Sequence, residues 1–175
     1  VDPDGVFTRF AIRQSAPEAW PTLRRHRLAV GLYSEADGAL TRTDRVEIDI
    51  EGELTEVPEL VGRTQPDLIL LNDDDLTYAK IRFDPRSMAT LVAHLAGLDS
   101  SLSRALAWGA AWDMCRDAEV PATDFVTLAL GGVGSETDLT VVGAVLNQAR
   151  TAIDYYAPAA TRDEVNQRFT RGLAG

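Results

Sequence analysis

At Asp84–Pro85 the apolar pattern of this chain changes its period, and that change limits what each side can fold into. Upstream, apolar and polar residues alternate. Val6, Thr8, Phe10 and Ile12 share one face, Leu28, Val30 and Leu32 a second, and Val46, Ile48 and Ile50 a third with Glu47, Asp49 and Glu51 opposite. Period-two alternation sets one strand face on a core and the other in water. Asp37–Gly38 and Glu51–Gly52 are turn signals between these runs. Leu68–Leu71 is too short for a helix and reads as a buried strand. Ala79, Ile81 and Phe83 alternate with Tyr78, Lys80 and Arg82 in a last one. About six or seven short strands predict a small antiparallel β-sandwich over residues 1–84.

Downstream the spacing is helical. Asp84 is an N-cap and Pro85 a first-turn residue. Met88, Leu91, Val92 and Leu95 form a stripe that Gly97 stops. In a second helix, Ser100 to Asp117, Leu102, Leu106, Gly109 and Ala110 lie together beside Ala105, Trp108 and Trp112. So wide an apolar arc requires enclosure by other helices. A third helix starts at Pro121, carries Phe125, Leu128 and Ala129, and stops at Gly131–Gly132. Ser135 to Asp138 reads as a variant capping box for a fourth, whose stripe runs Leu139, Val142, Val145, Leu146, Ala149, Ile153, Tyr156. Pro158 ends it, and Val165 and Phe169 mark a fifth. The fold class is therefore all-β then all-α, with antiparallel helical hairpins over residues 85–175 that can begin a helical repeat.

The chain has 175 residues, net charge −10 and a pI near 4.6. That balance argues against nucleic acid and anionic membrane surfaces as partners. No apolar run reaches the ~20 residues of a membrane span. One cysteine, Cys115, excludes an intrachain disulfide and fits a reducing, cytoplasmic setting. Residue 1 is Val rather than Met, which an excised piece, a processed chain and a removed tag would all show.

No constellation carries catalysis. The two histidines, His26 and His94, are far apart and neither belongs to a metal-binding pattern, so both read as structural or solvated. Asn72–Asp73–Asp74–Asp75 fails the EF-hand test, with Thr77 and Phe83 where Gly and Glu are required. Two readings stay open there: a looser cation site, or a hairpin turn whose side chains bond local backbone N–H groups. Gly131–Gly132–Val133–Gly134–Ser135 lacks the following Lys-Ser/Thr of a phosphate loop and reads as a helix stop and N-cap. Cys115, near Trp108 and Trp112, reads as an inert buried thiol rather than a nucleophile. Asp113 lies along the Leu102–Leu106–Gly109 face; it is either ion-paired or capping at the bundle edge, or it contacts a ligand.

Several segments in one collinear order resemble the aminopeptidase N family of zinc metallopeptidases, in its actinobacterial form. They are His26–Arg27–Leu28–Ala29–Val30–Gly31–Leu32–Tyr33, Thr55–Glu56–Val57–Pro58–Glu59–Leu60, the junction Leu70 to Asp84, Arg104 to Met114, and Glu136–Thr137–Asp138. The resemblance implies the junction where a β-sandwich domain hands over to a C-terminal helical domain. The His-Glu-x-x-His and Gly-x-Met-Glu-Asn motifs of the family are absent here. Relatives often carry two adjacent Asp where this chain has Gly109 and Ala110, so no role of an acidic pair transfers. The resemblance thus implies a noncatalytic portion of a zinc aminopeptidase, inactive alone, with zinc in the parent and no catalytic, cofactor or metal residue here. Its partners would be the catalytic domain of the same polypeptide and, in the parent, peptide substrates whose chamber it shapes and caps. The alternative is a free-standing protein-interaction module.

Overall fold

The computed structural model describes residues 1–174. Five strands form two antiparallel sheets, and five α-helices follow. β1 (Ala11–Arg13) pairs with β4 (Leu54–Glu56). β2 (His26–Ala36) is the centre of the larger sheet, between β3 (Ala39–Ile50) and β5 (Leu68–Asp73). The β2–β3 hairpin closes at Asp37–Gly38, both with positive φ (52° and 84°), as a two-residue turn matched to strand twist requires.

The centre of the larger sheet is covered on both faces. Leu28, Val30, Leu32 and Ile50 pack with Ile12, Val57 and Leu60 in a core under the small sheet. Tyr33, Leu40, Leu68 and Leu70 point the other way, into a second core with the helices. β5 shows why it lacks polar alternation: Ile69 and Leu71 join the first core, Leu68 and Leu70 the second. A strand covered on both sides reads as a continuous apolar run. The layers are thus small sheet, large sheet, helices.

Two strand expectations change. The first strand is Ala11–Arg13, and Val6 makes only an isolated bridge to Thr64. Residues 76–84 form no strand. Asn72, Asp74 and Asp75 have positive φ and steer the chain off the sheet edge. The Phe83 N–H then donates to Met114 Sδ at 3.3 Å, on the helical side. The expected hairpin turn at Asn72–Asp75 is a redirection from sheet to helices.

The helices are α1 (Pro85–His94), α2 (Ser101–Arg116), α3 (Ala122–Gly132), α4 (Leu139–Thr151) and α5 (Arg162–Gly172). Asp84 caps α1 as expected, accepting from the N–H groups of Arg86 and Ser87. α4 is capped by Asp138, not Ser135; the Ser135 hydroxyl donates to Gly132 O instead. A π-helical turn, Ala152–Tyr156, extends α4. In its stripe Val145, Ala149 and Ile153 are buried, but Leu139 and Tyr156 are exposed.

The largest correction concerns α2. Its buried residues are Ser103, Arg104, Ala107, Trp108, Ala110, Ala111, Met114 and Cys115. Of the expected arc, Trp108 and Ala110 are buried and Leu106 and Trp112 pack partly buried against the core, but Leu102, Ala105 and Gly109 lie exposed and Asp113 is half-buried at the edge. Two polar side chains, Ser103 and Arg104, turn inward because each meets a buried partner.

Candidate functional site

Asp73 is fully buried between the larger sheet and α2. The register of β5 against β2 shifts between Ala29 and Val30, leaving Asn72 as an extra residue with φ 58°. Asn tolerates that left-handed conformation, and such a bulge re-aims the next side chain. Asp73 therefore turns toward the helices. Tyr33 donates to its Oδ2 at 2.9 Å, Ser103 to its Oδ1 at 3.2 Å, and Arg42 Nη1 to its Oδ2 at 2.9 Å. Gly31 makes the room: a Cβ there would lie 2.2 Å from Asp73 Oδ2. A buried carboxylate needs such donors. Burial pushes the Tyr33 hydroxyl up to about 12, and the hydrogen bond to Asp73 holds the Arg42 guanidinium firmly protonated.

From this hub ion pairs run outward along the sheet. Arg42 reaches Asp74 at 3.1 Å, Arg45 joins Asp74 at 2.6 Å and Glu47 at 2.7 Å, and Arg27 continues to Glu47 and Asp49. The hydrogen bond from Arg45 lowers the Asp74 pKa. Asn72 secures the turn with its own amide, accepting from Thr77 N and donating to Thr77 O. Both carboxylates central to a cation reading, Asp73 and Asp74, are thus committed to arginines.

Further contacts join sheet and helices. Ser87 Oγ accepts from Ile69 N at 2.9 Å, satisfying a backbone donor on the edge of β5. Arg86 pairs with Asp67 at 2.6 Å, and Asp67 also accepts from Glu35 N; that backbone bond chiefly lowers its pKa. The β2–β3 hairpin tip rests on the turn after α1, where a Cβ on Gly97 would fall 2.0 Å from Gly38 O. On the helical side, Arg104 and Glu136 form a pair whose side chains are 9% and 4% exposed. Arg104 also donates to Leu98 O and Asp99 O, and Trp108 Nε1 donates to Glu136 Oε1 at 2.9 Å. One guanidinium therefore ties the α1–α2 link to the α3–α4 link.

The residues singled out from sequence are not brought together. His26 Nδ1 meets Thr77 Oγ1 at 2.7 Å at the start of β2, while His94 ends α1. Asp113 sits 4.0 Å from Lys80 Nζ and 3.7 Å from Arg116 Nη1, an ion-paired position at the bundle edge. Cys115 is buried, and burial pushes its thiol up to about 11. Gly132 lies inside, where a Cβ would meet Leu95 and Trp108 at under 3 Å; it permits close helix packing and cradles no phosphate. Among the described residues no group of three or more His, Cys, Asp or Glu comes together in a metal-binding arrangement. A groove of about 520 Å³ between α1 and the start of α3 is lined mainly by apolar side chains, including Phe83, Met88, Val92 and Val120. Sequence reasoning missed Asp73, Arg104 and Glu136 as a buried set, though all three stand in the segments that carry the family resemblance.

What the geometry defines is a structural junction: a two-sheet unit locked to a helical layer by a shared core and two buried polar hubs. Residues 68–175 match the ERAP1-like C-terminal domain family, and the chain belongs to that family. It is also 49% identical over 176 residues to Aminopeptidase N of Streptomyces lividans, an alignment that takes in 97% of this chain and 20% of that protein. The chain thus spans about a fifth of that relative's length. No helix is long and apolar enough to cross a membrane among the described residues.

Proposed function

We propose that this chain is the noncatalytic C-terminal portion of a zinc-dependent aminopeptidase that removes N-terminal residues from peptides in the cytoplasm. In this reading residues 1–84 are the β-sandwich domain and 85–175 the first part of a larger helical domain. The portion shapes and caps the substrate chamber and performs no chemistry. Zinc, held by the catalytic part, would supply activated water and a polarised carbonyl.

The observation that carries this reading is the alignment of 97% of this chain with a fifth of Aminopeptidase N, which joins sheet and helical parts in one match. The junction supports it physically. A chamber wall must hold its position relative to the catalytic part, because misplacement by ~1 Å costs orientation-dependent rate. Asp73, with its three donors from β2, β3 and α2, holds the sheet and the helices of this portion in one relative position.

Two measurements test it together. This chain alone is expected to bind no stoichiometric zinc and to leave aminoacyl chromogenic amides intact. The full polypeptide encoded by the gene is expected to hydrolyse them with chelator sensitivity. Deleting residues 85 onward from that polypeptide should leave its zinc content intact and impair peptide turnover. A soluble, zinc-loaded truncation with unchanged kinetics on both dipeptide-sized and longer substrates would refute the chamber-wall role.

A further inference from the structure

One corner of the sheet unit exposes aromatic surface that a finished surface would cover. Three loops meet there. Gln14 N donates to Glu53 O at 2.8 Å, Gln14 Nε2 to Gly52 O at 3.1 Å, and Arg24 N to Gln14 Oε1 at 3.2 Å, which clamps the loop after β1 to the turn before β4. The His26–Thr77 contact brings in the connector after β5. These loops carry Trp20, 78% exposed, Tyr78, 101% exposed, and the half-open Leu23 and Leu76, with half-open Leu54 opening β4 next to the turn.

Single exposed leucines need no explanation, but large aromatics gathered on joined loops do. Trp and Tyr shed much apolar area on docking and lose little side-chain entropy, and with Arg they are the residue types that dominate interface hot spots. The corner also holds the basic run of an otherwise acidic chain, Arg24 to Arg27. Arg25 is paired with Glu51, and Arg27 with Glu47 and Asp49. Arg24 has no ion-pair partner among the described residues. The complementary surface is therefore an apolar hollow with a carboxylate on its rim.

We propose that the Trp20–Tyr78 corner docks against the remainder of the same longer polypeptide, with Trp20 and Tyr78 as anchors and Arg24 paired to an acidic residue there. This rests on the aminopeptidase reading above. The match to only a fifth of the relative's length leaves four fifths of such a polypeptide outside this structure, ample to supply the occupant. A second copy of this chain is the competing occupant. It would bring a second Arg24 and another net −10 to the contact.

Hydroxyl-radical footprinting of the full polypeptide, native against urea-unfolded, tests the docking. Oxidation of Trp20 and Tyr78 is expected to fall on the order of tenfold in the native state, because an interface anchor is wholly desolvated. Trp108, only 3% exposed, sets the scale for a buried indole. If either Trp20 or Tyr78 falls clearly short of that protection, the corner is free and the docking is overturned. Protection that disappears on dilution assigns the patch to self-association and overturns it too. The same sample is assayed for chelator-sensitive aminopeptidase activity. An active enzyme with unprotected Trp20 and Tyr78 removes the docking surface and leaves the proposed function standing. A gene product no longer than this chain removes both.

Discussion

Removing Glu136 should cost the chain a large part of its stability. Its carboxylate is 4% exposed and accepts from Arg104 Nε at 2.9 Å, Arg104 Nη2 at 3.3 Å and Trp108 Nε1 at 2.9 Å. Glu136→Ala leaves a buried guanidinium with only the carbonyls of Leu98 and Asp99, and an indole N–H with nothing. Breaking a buried pair from one side costs ~3–5 kcal/mol, because the surviving charge stays desolvated. A whole domain has only ~5–15 kcal/mol. For a chain of this size that corresponds to a melting point lowered by about 10 °C. Guanidinium titration gives the first number and a thermal melt the second, each followed by far-UV dichroism and tryptophan emission. The double variant Arg104→Met/Glu136→Leu removes both charges, so it should recover more than half of the loss, short of the ~1–3 kcal/mol owed to the unpaired Trp108 N–H. A Glu136→Ala loss below ~1 kcal/mol would show that water reaches Arg104 and that the clamp is ornamental.

Gly31→Ala should disrupt the Asp73 hub, since its Cβ would lie 2.2 Å from the carboxylate; a loss of ~1–3 kcal/mol in denaturant titration is expected. Val145→Asp places an unpaired carboxylate at a site 2% exposed, costs several kcal/mol, and should abolish the cooperative melt of the helices. Alkaline pH should destabilise the fold through Tyr33. Its folded pKa of about 12 exceeds the unfolded value near ~10, so the stability it contributes is full below pH ~10 and lost as pH rises to about 12, which denaturant midpoints across that range would show. Cys115, raised to about 11 and buried, should resist a thiol-specific reagent at neutral pH until the chain unfolds; native reaction at the unfolded rate would refute its burial.

Much of the architecture was legible because it is encoded over a few residues. Alternation located β2 and β3, a short continuous apolar run located β5, Asp37–Gly38 marked the β2–β3 hairpin, and Asp84 with Pro85 set the start of α1. The family resemblance was legible too, in collinear segments that the comparisons uphold. Tertiary structure alone decided which polar residues lie inside. Tyr78 to Phe83 alternates like a strand, yet it leaves the sheet because three left-handed residues turn it toward α2. Leu102 and Gly109 look like core positions of α2, yet they lie exposed while Ser103 and Arg104 are buried. Their partners, Asp73 and Glu136, stand 30 and 32 residues away in the chain. A buried charge is tolerable only with its partner present. Local periodicity carries no record of so distant a pairing, so the apolar pattern of α2 could not show that Ser103 and Arg104 turn inward.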